Sequence, residues 1–213
     1  MLPAVQNGYV SFMKILNLLP AAAIVLATAM PAAADKISLN TLSKYLNELR
    51  TAKGAFTQIN DDGTISTGTI FIKRPGRIRF EYNPPEKALV LASGGTVVIH
   101  DPKTNEPPES YPLARTPLSI ILAKNVNLSR AKMVVGHTAD DKSTTVTAQD
   151  PEHPEYGNIQ LVFTDKPVEL RQWVINDDAG SRTTVILGQL DKNARMNDGL
   201  FNAELAIPQG SDR

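Results

Sequence analysis

Cysteine is absent from this 213-residue chain, and its absence removes several classes of function at once. Without thiols the protein can form no disulfide bond, bind no metal through thiolate and use no cysteine nucleophile. It also cannot be a bacterial lipoprotein, because the acyl groups of those proteins are attached to a cysteine. The sequence therefore favours an unanchored protein without thiol chemistry.

Histidine and surplus charge are also scarce. Three histidines occur, at His100, His137 and His153, and no two have the spacing of a metal site. Basic and acidic residues are equal at 22 each, so the chain lacks the basic surplus that binds nucleic acid. No nucleophile elbow, Walker loop or dinucleotide fingerprint is present. We therefore predict a non-enzymatic protein with no cofactor, no metal and no nucleic-acid partner. A β-rich hydrolase of the cell envelope remains an alternative, since turn acids such as Asp61 and Asp62 could form a catalytic pair.

The first 34 residues have the order of a secretory signal peptide. They contain no acid and one base, Lys14, which precedes an apolar run, and Ala32 and Ala34 satisfy the small-x-small rule for cleavage. We predict cleavage after Ala34, which leaves residues 35–213 as one exported domain. A transmembrane anchor is the alternative reading, and the prolines and many alanines of the segment disfavour it.

Beyond residue 50, turn signals at regular intervals separate short apolar segments, a pattern typical of antiparallel strands. The clearest hairpin joins residues 64–73 to residues 77–82 through Pro75-Gly76. About nine or ten strands are expected, with amphipathic helices over residues 37–49 and 116–125. Because the strands follow one another as hairpins, the helices cannot be crossover connections and must cover the sheet. We predict a mainly β fold: a single curled antiparallel sheet covered by short α-helices.

Three boundaries follow from the same signals. The first strand is expected to begin at Phe56. Residues 103–115 contain three prolines and are expected to form a loop. The segment from Leu200 to Gly210 is expected to be irregular.

The remaining signal is an apolar set at the inward positions of strands and on one stripe of the second helix. It comprises Ile70, Ile72, Ile78, Phe80, Tyr82, Leu89, Phe163 and Trp173 on strands, with Leu118, Ile121 and Leu122 on the helix. Aromatic residues are only 6% of the chain, so this set is mostly aliphatic. Such a lining suits a packed core and also suits a cavity for a flexible hydrocarbon, and composition does not decide between them.

Several short motifs occur in one order along the chain. They are Phe56-Thr-Gln58, the run from Gly68 to Lys-Arg-Pro75, the strand 77–82 followed by Pro84-Pro85, Leu89-Val-x-x-Ser-Gly94, Asp101-Pro102 and Thr116-Pro-Leu118. In this order the sequence resembles the LolA-type outer-membrane lipoprotein carriers of Gram-negative bacteria. The resemblance runs from about Leu42 to Pro208.

This resemblance implies an unclosed β-barrel with a lid of helices, and a cavity between them for lipoprotein acyl chains. It also implies a monomeric periplasmic protein. Its partners would be acylated lipoproteins, an inner-membrane ABC-type lipoprotein-releasing transporter and an outer-membrane lipoprotein receptor. The absence of cysteine favours the soluble carrier over that receptor, which is itself a lipoprotein. A related periplasmic cavity protein that binds other lipids or senses the state of the envelope is the alternative.

The resemblance also assigns roles to individual residues. The lid-gating arginine of the family falls on Arg74, and cavity positions fall on Ile78, Phe80, Leu118 and Ile121. The chain departs from the family where a common tryptophan is replaced by Phe80. A second departure is the strongly basic outer face of the strand 77–82.

Overall fold

The computed structural model describes residues 35–130 and 132–207, and one antiparallel sheet dominates them. The helices are α1 (Leu39–Glu48), α2 (Leu118–Leu122) and α3 (Ala203–Ala206). The strands are β1 (Thr51–Ile59), β2 (Ile65–Lys73), β3 (Arg77–Tyr82), β4 (Leu89–Ser93), β5 (Thr96–His100), β6 (Glu109–Pro112), β7 (Val134–Ala139), β8 (Thr144–Gln149), β9 (Asn158–Thr164), β10 (Glu169–Asn176) and β11 (Arg182–Leu187). The predicted signal peptide lies outside the described residues. Within them, no helix is both long and apolar enough to cross a membrane.

The sheet has eleven strands in the order β6-β5-β4-β3-β2-β1-β11-β10-β9-β8-β7. The first and last strands, β1 and β11, pair in the middle of the sheet, and each half then extends outward by hairpins. Strands β6 and β7 follow each other in the chain but form the two opposite edges. The predicted fold, a single unclosed antiparallel sheet with few helices, is confirmed.

A contact between two aromatic rings shows how strongly the sheet curls. Phe80 on β3 and Trp173 on β10 lie edge to face with ring centroids 6.2 Å apart. Three strands separate β3 from β10, so a flat sheet would hold them about 19 Å apart at ~4.8 Å per strand. The inner face is therefore concave, and side chains from distant strands meet across it.

Gly68 makes room for an aromatic cluster on this inner face. It pairs with Phe56 on one neighbouring strand and with Tyr82 on the other. A Cβ atom at Gly68 would lie 2.6 Å from the Phe56 ring and still closer to the backbone carbonyl oxygen of Glu81. Because Gly68 has no side chain, the Phe56 ring packs edge to face on Tyr82 at 5.1 Å and on Phe80 at 5.3 Å.

Helix α1 covers part of the concave face. Its N-cap residue, Ser38, accepts a hydrogen bond from the backbone N–H of Thr41 in the first turn. Leu42 and Leu46 on one side of the helix are buried in the main apolar cluster. Just before the helix, the Ile37 N–H donates to Thr144 Oγ1 at 3.1 Å, which fixes the start of α1 to β8.

Two predicted boundaries differ from the structure for local reasons. Strand β1 begins at Thr51 rather than at Phe56, because small residues such as the fully buried Ala52 extend the pairing with β2. The predicted loop 103–115 contains β6, Glu109–Pro112. Strand β6 is an edge strand, where a proline removes no hydrogen bond that a further strand would need.

The segment 196–207, here called the outer strap, crosses the convex face of β2, β3 and β4. It contains a 3-10 turn and α3, where the sequence predicted irregular chain. Phe201 of the strap packs against Phe71 and Leu91, and these three buried residues form a second, smaller apolar cluster. The convex face is therefore apolar beneath the strap.

Basic side chains of β2 and β3 hold the outer strap. Asp198 lies 2.5 Å from Lys73 Nζ and 2.6 Å from Arg77 Nη1. Arg79 donates to the carbonyl of Leu200 at 2.9 Å. The side chain of Asp198 is 72% exposed, so its two ion pairs contribute little to stability individually. The basic outer face noted in the sequence thus contacts the C-terminal segment.

Candidate functional site

Ten of the eleven apolar residues predicted to line the interior lie together between the sheet and the helices. They are Ile70, Ile72, Ile78, Phe80, Tyr82, Leu118, Ile121, Leu122, Phe163 and Trp173, all within one apolar cluster. All but Tyr82, which is half-buried, are at most 9% exposed. The structure thus brings the strand residues and the helix stripe to one place. That this place holds acyl chains stays a prediction.

Leu89 does not join this set. It pairs with Glu81 on β3 and with His100 on β5, so its side chain lies on the convex face. The inward positions of β4 are Val90 and Ala92, and the predicted inward position of Leu89 is corrected. Strand β4 is apolar on both faces, because the strap region covers the convex one, and alternation alone cannot tell which face is inner.

The interior also contains residues that the sequence reasoning did not single out. They include Phe56, Val126, Leu128, Val146, Ile159 and Leu187. Phe56 carried a usable signal, since it sits in one of the motifs and alternates along β1. Val126 and Leu128 carried none, because they lie in an irregular segment after α2.

The hydroxyl of Tyr82 marks the polar limit of the interior. It donates to Gln58 Oε1 at 2.6 Å. Burial raises the pKa of Tyr82 to about 12, so the phenol stays neutral at physiological pH. The hydrogen bond lets this side chain contribute its ring to the cluster with its polar atom satisfied.

An apolar cleft of about 160 Å³ opens beside α2, and we call it the mouth cleft. It is lined mainly by Pro117, Ile120 and Ala123 on one side and by Met133, Pro151 and Tyr156 on the other. A cavity of about 150 Å³ in another protein accommodates one benzene molecule. The mouth cleft can therefore hold only a few carbon atoms, which is too little space for a whole acyl chain.

Residues 113–128, here called the lid segment, cross the interior and contain α2. The predicted helix 116–125 is shorter in the structure, because Ala123 leaves helical geometry with ψ 145°. The last carbonyls of a helix have no partner within it. Here the Gly76 N–H donates to the Leu122 carbonyl at 2.9 Å, and Arg74 Nη2 donates to the Ala123 carbonyl at 2.6 Å.

Arg74 is therefore a buried cation that contacts the lid segment. Its side chain is 9% exposed, and burial lowers the pKa of the guanidinium, with a smaller contribution from Arg50. Arginine nevertheless stays charged in proteins. Its hydrogen bond to Ala123 is a charged one, which is the stronger class. Arg74, to which the family resemblance assigns the lid-gating role, thus contacts a backbone carbonyl of the lid segment, and the gating role stays a prediction.

Helix α1 holds the part of the lid segment that follows α2. Asn47 donates to the Val126 carbonyl at 2.8 Å and accepts from the Val126 N–H at 2.9 Å. Ser43 accepts from the Leu128 N–H at 2.9 Å. The end of the lid segment is thus attached to α1, whereas the C-terminal end of α2 is attached to the β2–β3 turn.

The three histidines lie on separate elements. His100 ends β5, His137 lies in β7 and His153 precedes a 3-10 turn after β8. In residues 35–130 and 132–207, no three His, Cys, Asp or Glu side chains are grouped so that they could hold a metal ion.

Comparison with known proteins places the chain in a family. A sequence profile of the family described as outer membrane lipoprotein carrier protein LolA matches residues 47–204, which is most of the chain. The chain belongs to the LolA family. The match includes Arg74 and the lid segment.

Two relatives show how far the similarity to LolA-family proteins extends. The outer-membrane lipoprotein carrier protein of Azotobacter vinelandii is 23% identical over 208 residues, which cover 94% of this chain and 98% of the relative. The protein of the same name from Cupriavidus taiwanensis is 25% identical over 207 residues, covering 92% and 96%. Among solved structures, a LolA superfamily protein from Nitrosomonas europaea has a TM-score of 0.40 and 9% identity, covering 78% of this chain and 98% of its own.

Proposed function

We propose that this protein is a periplasmic carrier that shelters the acyl chains of lipoproteins between its sheet and its helices. The observation that carries the proposal is the apolar interior of a LolA-family chain, closed by the buried contact between Arg74 and Ala123. The names of its relatives, outer-membrane lipoprotein carrier proteins, support the cargo class.

The energetics explain why such a carrier needs a lid. A hydrocarbon chain that leaves water gains about 0.8 kcal/mol for each buried CH₂ group. Chains held with that full gain would be released too slowly for delivery. In the closed protein the interior side chains already bury one another, so opening costs part of the gain. The lid thereby lowers the affinity of the protein for the acyl chains and allows their release without ATP.

The contacts of the lid segment support a particular route of opening. Helix α2 has five residues, too few for a helix that is stable by itself. Its end depends on Arg74 and Gly76, whereas the segment beyond it is attached to α1 through Asn47. Release of α2 from the β2–β3 turn, while α1 retains the segment beyond it, would widen the mouth cleft into the interior.

In this proposal the carrier receives lipoproteins from an inner-membrane ABC-type transporter and delivers them to an outer-membrane receptor. Transfer between the three proteins makes and breaks no covalent bond, so the carrier needs no catalytic residue or cofactor. A related cavity protein for other lipids differs in its cargo. Mass spectrometry of the ligand that co-purifies with the native protein would separate the two, since only the carrier yields acylated polypeptide.

Depletion of the protein followed by membrane fractionation tests the function. We expect outer-membrane lipoproteins to accumulate in the inner membrane, and re-expression of the wild-type chain to restore their distribution. A normal distribution of lipoproteins after full depletion would show that the cell does not use this protein as their carrier.

A further inference from the structure

Trp173 places a hydrogen-bond donor inside the apolar interior. It is the only tryptophan of the chain, and its side chain is fully buried. Among the residues that the structure describes, none accepts a hydrogen bond from its Nε1–H group. Buried tryptophan N–H groups usually have a partner, because leaving a polar group unpaired in an apolar region is unfavourable.

The neighbours of Trp173 explain why the donor is unpaired. Its cross-strand partners are Leu161 on β9 and Val185 on β11, and Phe80 meets it across the interior. None of these three side chains has an acceptor. An apolar aromatic side chain such as phenylalanine would pack here without a buried N–H to satisfy.

Other buried polar atoms without partners in the described chain have simpler explanations. They are Tyr45 Oη, Arg74 Nε and His100 Nδ1. The Tyr45 hydroxyl lies next to the backbone of Leu170, and Arg74 already donates through Nη2 to Ala123. His100 lies opposite Leu89, on the convex face. The indole N–H of Trp173 is fixed by its ring and lies in the interior.

We propose that the indole N–H of Trp173 donates to a carbonyl oxygen at the head of a bound acyl chain. This inference rests on the proposed carrier function and adds a chemical selectivity to it. The hydrocarbon part of a guest has no acceptor, whereas an acyl chain carries a carbonyl oxygen where it joins its ester or amide. The donor therefore distinguishes acyl from alkyl chains and fixes how deeply the chain enters.

Two synthetic lipopeptides of equal chain length test this selectivity. One carries two ester-linked palmitoyl chains, and the other carries two ether-linked hexadecyl chains and lacks the ester carbonyls. We expect the wild-type protein to bind the ester form about tenfold more tightly, the effect of one buried hydrogen bond. The Trp173→Phe variant should bind both forms with equal affinity, because it keeps an aromatic ring and loses the donor, and its smaller ring affects both forms alike.

A control variant separates hydrogen bonding from packing. Phe163→Leu also alters a fully buried interior ring, and it should change both affinities while keeping their ratio. A second measurement needs no mutation. Since the chain has one tryptophan, its indole proton gives a single NMR signal, which should move downfield with the ester form and not with the ether form.

The outcomes distinguish this inference from the function on which it rests. Equal affinity of the wild-type protein for both lipopeptides, with an indole signal that stays in place, would refute the role of Trp173 and leave the carrier function standing. Failure to bind either lipopeptide would refute both.

Discussion

Replacement of Arg74 by leucine removes the buried contact that joins the β2–β3 turn to the lid segment. The variant loses the hydrogen bond from Arg74 Nη2 to the Ala123 carbonyl and replaces the arginine with a shorter apolar side chain. Hydrogen bonds to charged groups contribute about 1.5–3 kcal/mol. Since 1.4 kcal/mol is a factor of ten, the equilibrium constant between the closed and the open protein should fall by about 10- to 150-fold.

A weaker closed state should raise the affinity of the protein for its guest. If the guest binds only the open protein, weaker closure lowers the apparent Kd and slows release by up to the same factor. We therefore expect Arg74→Leu to bind a diacylated lipopeptide more tightly and to pass it more slowly to acceptor vesicles that carry the outer-membrane receptor. Arg74→Lys should lie between the variant and the wild type, because a lysine keeps the charge.

The matched control is Arg182→Leu, which removes an exposed arginine from β11. It should leave binding and transfer at wild-type values. Tighter binding by the control as well would assign the effect to general hydrophobicity. Unchanged affinity and unchanged transfer in Arg74→Leu would refute the gating role of Arg74.

Three further perturbations test individual contacts. Asn47→Ala removes both hydrogen bonds to the backbone of the lid segment and should lower the free energy of unfolding in urea by about 1–3 kcal/mol. Gly68→Ala pushes a methyl group against the backbone carbonyl of Glu81 and the Phe56 ring, and should lower the free energy of unfolding by about 3 kcal/mol or more, measured by thermal denaturation. The hydrogen bond and charge of Lys73, with the charge of Arg77, hold the pKa of Asp198 below its ordinary value of 3.8. Its contribution to holding the outer strap is therefore complete above that value and is lost as pH falls through the lowered pKa. The protection of the strap amides from hydrogen exchange, relative to their intrinsic rates, should fall over that acidic range in the wild type. It should already be lowered at neutral pH in Asp198→Asn.

Two of these perturbations have a matched reference variant. Asn40→Ala alters an exposed residue of α1 and should leave the free energy of unfolding unchanged. Gly199→Ala adds a methyl group whose nearest neighbour is 3.5 Å away, an ordinary contact, and should be tolerated. Equal effects in either test pair would contradict the contacts assigned here. So would a strap that is as well protected from exchange in Asp198→Asn as in the wild type at neutral pH.

The β2–β3 hairpin shows what a sequence pattern can predict. Alternation fixes the inner face, and the Pro75-Gly76 turn fixes the register, so Ile70 pairs with Phe80 and Ile72 pairs with Ile78. The curl of the sheet was also predictable, because a long antiparallel sheet twists and buries one face. Arg74 was found through a family motif, since its residue type alone is equally consistent with a solvated hairpin position.

Other features depend on contacts between residues far apart in the chain. Helix α2 ends early where Arg74 and Gly76 donate hydrogen bonds to the carbonyls of Ala123 and Leu122. The local sequence of the helix gives no sign of these distant donors. Leu89 was assigned to the wrong face because the outer strap, more than 100 residues later, makes the convex face apolar as well. The unpaired donor of Trp173 is visible only when its neighbours across the sheet are known.

The central claim is that acyl chains occupy the space between the sheet and the helices. It can be tested on the wild-type protein with a diacylated lipopeptide that carries a photoactivatable diazirine at the tip of one chain. After illumination, mass spectrometry should locate the cross-links at inner-face residues such as Phe80, Ile121 and Phe163. Cross-links confined to the convex face, for example at the exposed Ile186 or Leu205, would contradict the claim.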